Sequence, residues 1–413
     1  MRLLWGSPFN NRSAIGHFSA GICAELSSRG HEVYILPLDA TDVPYSQIVS
    51  DLSVLPRSSA TFPEIDMAII NYGNHAPYHA GALELAVAQT HLAIFHDIEM
   101  RHFAAGMKAL FGVQIPRLSG SGPDLRAEEF DLVPPEGRAV LQSLASMACG
   151  AIVHGPHYLP SIQEVCAGQT KMIPLYVPFG DASDPKPRAP GALRVCIVGV
   201  ANPHKQPDRV IRAMASLISK WGPIELHLAG EVSEDQILSL AGLCDELQLP
   251  HPKFHGYLTD ARMSEIVGQA DVICNLRYPV TEGGSGSLIT SLYHARPVIV
   301  SDIASYSLVP DEAVVKISYG ENVGDLASAL DGVFSDPGFS ERRALNGRAW
   351  ARRQANAKSY VDSFEDLLSE AVQLAPIFDV CRTLTPEVCY PGGGVMMSAL
   401  KRTAESIDEL YLS

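Results

Sequence analysis

Glu282 stands at the head of a run of small residues, Gly283, Gly284, Ser285, Gly286 and Ser287, between apolar stretches at 270–274 and 297–301. Beyond the run, Leu288, Ile289, Leu292 and Tyr293 recur at the spacing of one helical face. Strand, glycine-rich loop, helix and strand in that order put backbone N–H groups and the positive end of a helix dipole at a strand's carboxyl end. Such a place suits a phosphate or a polyhydroxylated ligand. Glu282 would offer its carboxylate to hydroxyls or to developing positive charge. Lys205 lies in the loop GVANPHK after the apolar run 193–198 and has three N–H donors for an anion. His96 and Asp97 follow the run 92–95, Asn74 and His75 follow 67–71, and His154 ends 150–154. In a parallel sheet such strand ends face one crevice, so these polar groups are expected to converge.

The elements that must position them alternate along the chain. Residues 2–7 read as a strand, 14–29 as a helix and 32–36 as a strand, a βαβ opening whose first loop carries Asn10, Asn11, Ser13 and Gly16. A helix is expected over 78–88 and another over 137–149. Residues 181–192, rich in Pro, Gly and charge, read as a linker. The alternation restarts at 193, with helices over 208–220, 235–247, 263–270 and 323–334 and through much of 340–372. The expected organisation is α/β. A Rossmann-like domain occupies 1–180, a second occupies 193–372, and a tail of unassigned placement covers 373–413. Two doubly wound domains joined by a linker are expected to bind their ligand in a cleft.

Composition narrows the function. The 413 residues suit two cores rather than one, and 46% hydrophobic with 19% charged residues is ordinary for a globular protein. A net charge of −15 argues against general nucleic-acid binding. The eight cysteines are scattered without a CxxC pair, which fits neither a disulfide framework nor a zinc site. No run reaches a membrane span, and the apolar start of MRLLWGSPFNNRS is too short for a signal peptide, so the expectation is a cytoplasmic protein. Arg101, His102, Lys108 and Arg117 read as a solvated helix face, with peripheral contact to the inner face of a membrane as the alternative. No Ser-His-Asp constellation, close carboxylate pair or Asp-x-Asp metal motif is visible, and no metal is expected at the site.

The C-terminal half resembles the retaining glycosyltransferases of family 4, which have the GT-B fold. The resemblance rests on Glu282, the glycine-rich loop and Pro297-Val298-Ile299, on the Gly199 to Lys205 loop, and on Phe254-His255-Gly256-Tyr257. In the N-terminal half, YGNHAPYHAGALELA followed by FHDIEMRH is similar to a subgroup that builds bacterial surface polysaccharides. The resemblance implies a hexosyltransferase, mannosyltransferase-like, taking a GDP- or UDP-linked sugar as co-substrate and a glycan or lipid-linked oligosaccharide as acceptor. It implies catalytic roles for Glu282, His96 and Lys205, with His96 donating to a sugar hydroxyl or to the carbonyl-rich reaction zone. Donor binding would fall to Gly16, Gly199, Lys205, Tyr257, Arg277, Gly283, Gly284, Ser285, Gly286, Ser287 and Thr290, and the acceptor side to Asn74, His75 and Asp97. The chain departs from the family pattern at two positions. Thr290 stands where the signature has its second Glu, and Val200 where a basic residue is usual, with Arg277 the nearest replacement charge. A protein that binds nucleotide or glycan without turnover is the alternative from a different class, and an epimerase of the same fold is a third.

Overall fold

The computed structural model describes residues 1–10, 12–40, 52–56, 63–112, 115, 135–178 and 191–384. The expected linker, apart from 191–192, and the tail from 385 on lie outside these residues, as do Asn11 and Arg117. Among the described residues the strands form two parallel sheets. The first has seven strands: β1 (Arg2–Ser7), β2 (Glu32–Pro37), β3 (Ser53–Val54), β4 (Met67–Tyr72), β5 (His91–Phe95), β6 (Gly150–Val153) and β7 (Thr170–Met172). Their order is β3-β2-β1-β4-β5-β6-β7. The second has six: β8 (Leu193–Val198), β9 (Ile224–Ala229), β10 (Lys253–Phe254), β11 (Val272–Asn275), β12 (Val298–Ser301) and β13 (Val315–Ile317), in the order β10-β9-β8-β11-β12-β13. Each sheet runs outward from its first strand and then reverses, between β1 and β4 and between β8 and β11. Those are the topological switch points where α/β sheets hold ligands.

The chain divides into two compact units. One comprises Met1–Pro178, Thr281–Gly284 and the segment from Ala357; the other comprises Phe179–Val280 and Ser285–Asn356. This differs from the sequence expectation in two places. The short peptide holding Glu282 belongs to the first unit, although the residues before and after it in the sequence belong to the second. The last helix, Ala357–Leu384, also belongs to the first unit rather than closing the second, and it runs past residue 372 into the expected tail.

The reason lies in its apolar stripe. Tyr360, Val361, Phe364, Leu367, Leu368 and Ala371 follow helical spacing and are buried with Trp5, Phe18, Ile22 and Leu26 in one core. Polar contacts fix the orientation: Arg29 pairs with Asp362 and Glu365 at 2.8 Å, and Lys171 Nζ donates to the Ser363 carbonyl at 2.9 Å. Phe364 is fully buried, with its ring edge-on to Trp5 at 5.9 Å. Phe364→Ala is expected to destabilise this unit by about 3–5 kcal/mol, the usual cost of an aromatic-to-alanine cavity, measured by urea unfolding. The second unit has its own core, built from Val195, Ile197, Val210, Met214, Leu226, Leu228, Cys274 and Leu330 among others.

Helix boundaries move modestly. The segment expected as one helix over 78–88 splits into a 3-10 turn, Ala76–Tyr78, and a helix, Ala82–Ala88. The helix expected over 137–149 spans Pro135–Ala145. Among the described residues no helix is long and apolar enough to cross a membrane.

Candidate active site

At the β8/β11 switch point of the second unit, the chain turns sharply after β8. Gly199 takes φ +81°, and a Cβ there would lie 2.8 Å from Lys205 Nζ and 3.4 Å from Ser287 Cβ. Glycine is required both by the left-handed turn and by the ammonium beneath it. Lys205 ends the 3-10 turn Pro203–Lys205, is 5% exposed, and donates from Nζ to the Val198 carbonyl. After β11, Arg277 is equally buried; it donates from Nη1 to the Leu276 carbonyl at 2.8 Å and from Nη2 to Ser287 Oγ at 3.2 Å. Its guanidinium also lies 5.8 Å from the Tyr306 ring centroid.

Ser287 is the meeting point. Its hydroxyl is 3.2 Å from Asn275 Nδ2 and 3.2 Å from Ser285 Oγ. Ser285 caps the helix Gly286–Tyr293, accepting from the Leu288 amide at 3.3 Å. The first-turn amides of Gly286 and Ser287 precede any intrahelical acceptor. Asn275 is 2% exposed and its Oδ1 is buried without a hydrogen-bond partner. Two cations and a helix N-terminus therefore share one switch point, an arrangement that can hold a phosphate group, whereas the unpartnered Asn275 oxygen is an acceptor suited to a hydroxyl or N–H. Thr290 is half-buried three residues along the helix from Ser287, whereas Val200 is 57% exposed on the surface. Tyr257, 59% exposed, follows the edge strand β10, with β9 between that strand and β8.

In the first unit, the peptide Thr281–Gly284 lies along the end of β5. Asp97 and Glu282 form an antiparallel bridge, Gly283 N–H donates to the His96 carbonyl at 3.0 Å, and the Ile98 amide donates to the Thr281 carbonyl at 3.2 Å. The Gly283 amide is thus committed to the protein and is not offered to a phosphate, contrary to expectation. Its glycine identity has a packing cause: a Cβ would fall 2.1 Å from the Tyr158 hydroxyl. A Cβ on Gly284 would likewise fall 3.0 Å from His154 Cβ and 3.2 Å from Leu175 Cβ.

The bridge brings Asp97 and Glu282 together as a carboxylate pair. No such pair is visible in the sequence, because its two members lie in distant stretches. Burial pushes the Asp97 carboxyl up to about 7; the Asn74 amide, donating at 2.8 Å, opposes this, and the Glu282 and Glu99 carboxylates add to it. Between the ordinary value of about 3.9 and the folded one, the native state holds a proton that the unfolded chain lacks, so stability falls as pH rises across that window. Asp97→Asn should flatten this fall, as read from urea unfolding at pH 5 and pH 7.5.

His96 is 8% exposed, and burial holds its pKa well below the ordinary value, so the ring is neutral. Asn71 Nδ2 donates to the Gly6 carbonyl at 3.1 Å, which turns Asn71 Oδ1 toward His96 Nε2 at 3.0 Å. The proton therefore sits on Nε2 and is used on Asn71. Nδ1 is left as an acceptor, so a ligand would meet His96 as an acceptor rather than as a donor. His157 packs beside Glu282; burial lowers it to about 4 while the backbone and carboxylate of Glu282 act the other way.

Three other expected residues have structural employment. Asn74 donates to Glu99 Oε2 at 3.3 Å and accepts the Phe103 amide at 2.9 Å, tying down the start of the helix Arg101–Phe111. His75 is exposed against Tyr78, ring centroids 4.2 Å apart. A Cβ on Gly16 would lie 2.6 Å from the Pro8 carbonyl oxygen, and its amide donates to Ser13 Oγ at 3.2 Å. Asn71, Asn275 and Tyr158 went unread as site residues. Both asparagines interrupt otherwise apolar strand ends, which was a visible signal. Among the described residues no group of three His, Cys, Asp or Glu is disposed to hold a metal ion.

Residues 181–350 match the family model described as glycosyl transferases group 1. No curated protein is significantly similar in sequence. Among solved structures, the sucrose-phosphate synthase of Thermosynechococcus elongatus aligns with TM-score 0.59 at 17% identity, covering 89% of this chain and 98% of its own. Anabaena HepE, solved with UDP and glucose, aligns with TM-score 0.60 at 14% identity, covering 89% and 99%. WaaG, a glycosyltransferase involved in lipopolysaccharide biosynthesis, aligns with TM-score 0.54 at 15% identity, covering 91% and 99%. The chain has the α/β GT-B fold, and its match to glycosyl transferases group 1 covers residues 181–350.

Proposed function

We propose that the protein is a retaining, metal-independent glycosyltransferase that moves a hexosyl group from a UDP- or GDP-linked sugar to a glycan or glycolipid acceptor in surface-polysaccharide synthesis. The observation that carries this reading is the convergence of Arg277, Asn275 and Ser285 on Ser287, with Lys205 Nζ and Ser287 both packed about Gly199, at the switch point of the second unit. Arg277 there supplies the second cation that Val200 does not. The resemblance of the fold to HepE, solved with UDP and glucose, and to WaaG supports the donor and acceptor classes.

In the reaction the bond from the anomeric carbon to the diphosphate oxygen breaks, and the acceptor oxygen bonds to that carbon on the same face. The acceptor proton passes to the departing phosphate oxygen. Lys205 and Arg277 take the charge that grows on the leaving group, and a single donor so placed is worth about 3–4 kcal/mol. Glu282 balances positive charge on the sugar and His96 Nδ1 accepts one of its hydroxyls. Gly283 and Gly284 let the Glu282 peptide lie close against the protein.

A second reading, binding without turnover, draws on Thr290 in the place of the signature's second Glu. Incubation with a panel of UDP- and GDP-sugars separates the two. Release of nucleoside diphosphate supports the transferase, and saturable binding without release across the panel supports the binding module.

A further inference from the structure

Behind His96 lies a cluster of rings. Phe18 meets His96, His154 and Tyr360 edge-on at centroid distances of 4.9, 5.7 and 5.1 Å. The His154 centroid is 4.8 Å from that of His96 and 6.0 Å from that of Tyr360. His154 and Tyr360 are 3% and 2% exposed. His154 Nδ1 donates to the Ile173 carbonyl at 3.0 Å, which sets the tautomer and leaves a lone pair on Nε2. That Nε2 and the Tyr360 hydroxyl are both buried without a hydrogen-bond partner. One is an acceptor and the other a donor, and a buried polar group left unmade carries its full desolvation cost.

His154 also touches the peptide that carries Glu282. Its Cβ is 3.0 Å from the point where a Cβ on Gly284 would stand. Its amide donates at 2.7 Å to the Tyr158 hydroxyl, which donates in turn to the Phe95 carbonyl at 2.9 Å and lies directly under Gly283. One side chain therefore meets both His96 and the backbone beside Glu282, and the last helix brings the Tyr360 hydroxyl into the same cluster.

We propose that His154 and Tyr360 form a hydrogen-bonded positioning pair that holds His96 and the Glu282 peptide in register for sugar transfer. The proposal rests on the assignment of His96 and Glu282 to the reacting sugar. The two rings already share one cluster, their centroids 6.0 Å apart, and pairing satisfies both orphaned atoms at once. It also gives the helix Ala357–Leu384 a part in the site beyond covering the sheet.

The test uses the full-length protein with 15N-labelled histidine, plus kinetics with UDP-glucose or GDP-mannose, whichever the wild type turns over. The His154 Nε2 resonance, identified by its loss in His154→Phe, is expected at the upfield position of an accepting nitrogen and should move downfield in Tyr360→Phe. Each single variant is expected to lower kcat about tenfold with donor KM within about twofold, and the double variant to be no worse than the poorer single one, as for residues acting as a unit. Tyr360→Phe keeps the ring, so its fold survives the change. An unmoved resonance, an unchanged kcat in Tyr360→Phe, or effects that multiply would each overturn the proposal. If the wild type transfers no sugar at all, the functional reading fails, and the resonance alone then decides the pairing.

Discussion

Lys205→Met is expected to lower kcat/KM for the donor by about 10²–10³-fold, with most of the loss in kcat. Methionine fills much of the buried volume and keeps the unbranched stem, so the 3-10 turn and the glycine opposite it retain their packing. What disappears is an ammonium held beneath the turn after β8, beside Gly199 and Ser287. A nucleoside diphosphate departs carrying extra negative charge, and a fixed cation stabilises that charge more than it stabilises the intact donor. Arg277→Gln should act in the same direction, and the double variant should lose less than the product of the two if both cations face one diphosphate. Steady-state kinetics with a fixed acceptor, alongside thermal melts to confirm folding, reads these effects.

Glu282→Gln is the second large expectation, a fall in kcat of about 10²-fold with donor KM changed far less. The peptide around it is held through its backbone, by the bridge to Asp97 and the Gly283 amide on the His96 carbonyl, so the side-chain change leaves its placement intact. Glutamine keeps a hydrogen-bond acceptor for sugar hydroxyls but cannot balance positive charge at the anomeric carbon. A loss confined to KM would instead assign Glu282 to binding alone. The neighbouring Asp97 should also be relieved of one carboxylate, and its pKa should fall from about 7. A 13C NMR titration of the Asp97 carboxyl in the wild type and in Glu282→Gln reads that coupling.

The sequence made the alternation of strands and helices plain, because parallel strands buried on both faces read as short apolar runs. Runs such as 92–95, 193–198 and 297–301 correspond to β5, β8 and β12 within a residue or so. Lys205, Arg277 and Ser287 were legible as a group, since each follows a strand in the same half of the chain. The last helix was legible as a helix, but an apolar stripe does not say which sheet it covers. Only the fit of Tyr360, Phe364 and Leu368 into the core around Trp5 decides that.

Gly283 illustrates a different limit. A glycine beside a helix N-terminus fits an exposed amide equally with a close contact, and here the Tyr158 hydroxyl makes it the second. The His96 tautomer was likewise out of reach, because it depends on Asn71 and, through it, on the Gly6 carbonyl, neither of them near in sequence. The Asp97–Glu282 pair is hidden for the same reason: its members meet only through tertiary structure.

Sugar transfer with retention is tested most directly by NMR of the first product formed from UDP- and GDP-sugars, with a glycan acceptor or with water in its place. The expected result is release of the nucleoside diphosphate together with a first-formed product of the same anomeric configuration as the donor. Inversion at the anomeric carbon, or tight binding with no nucleotide release across the panel, would contradict it.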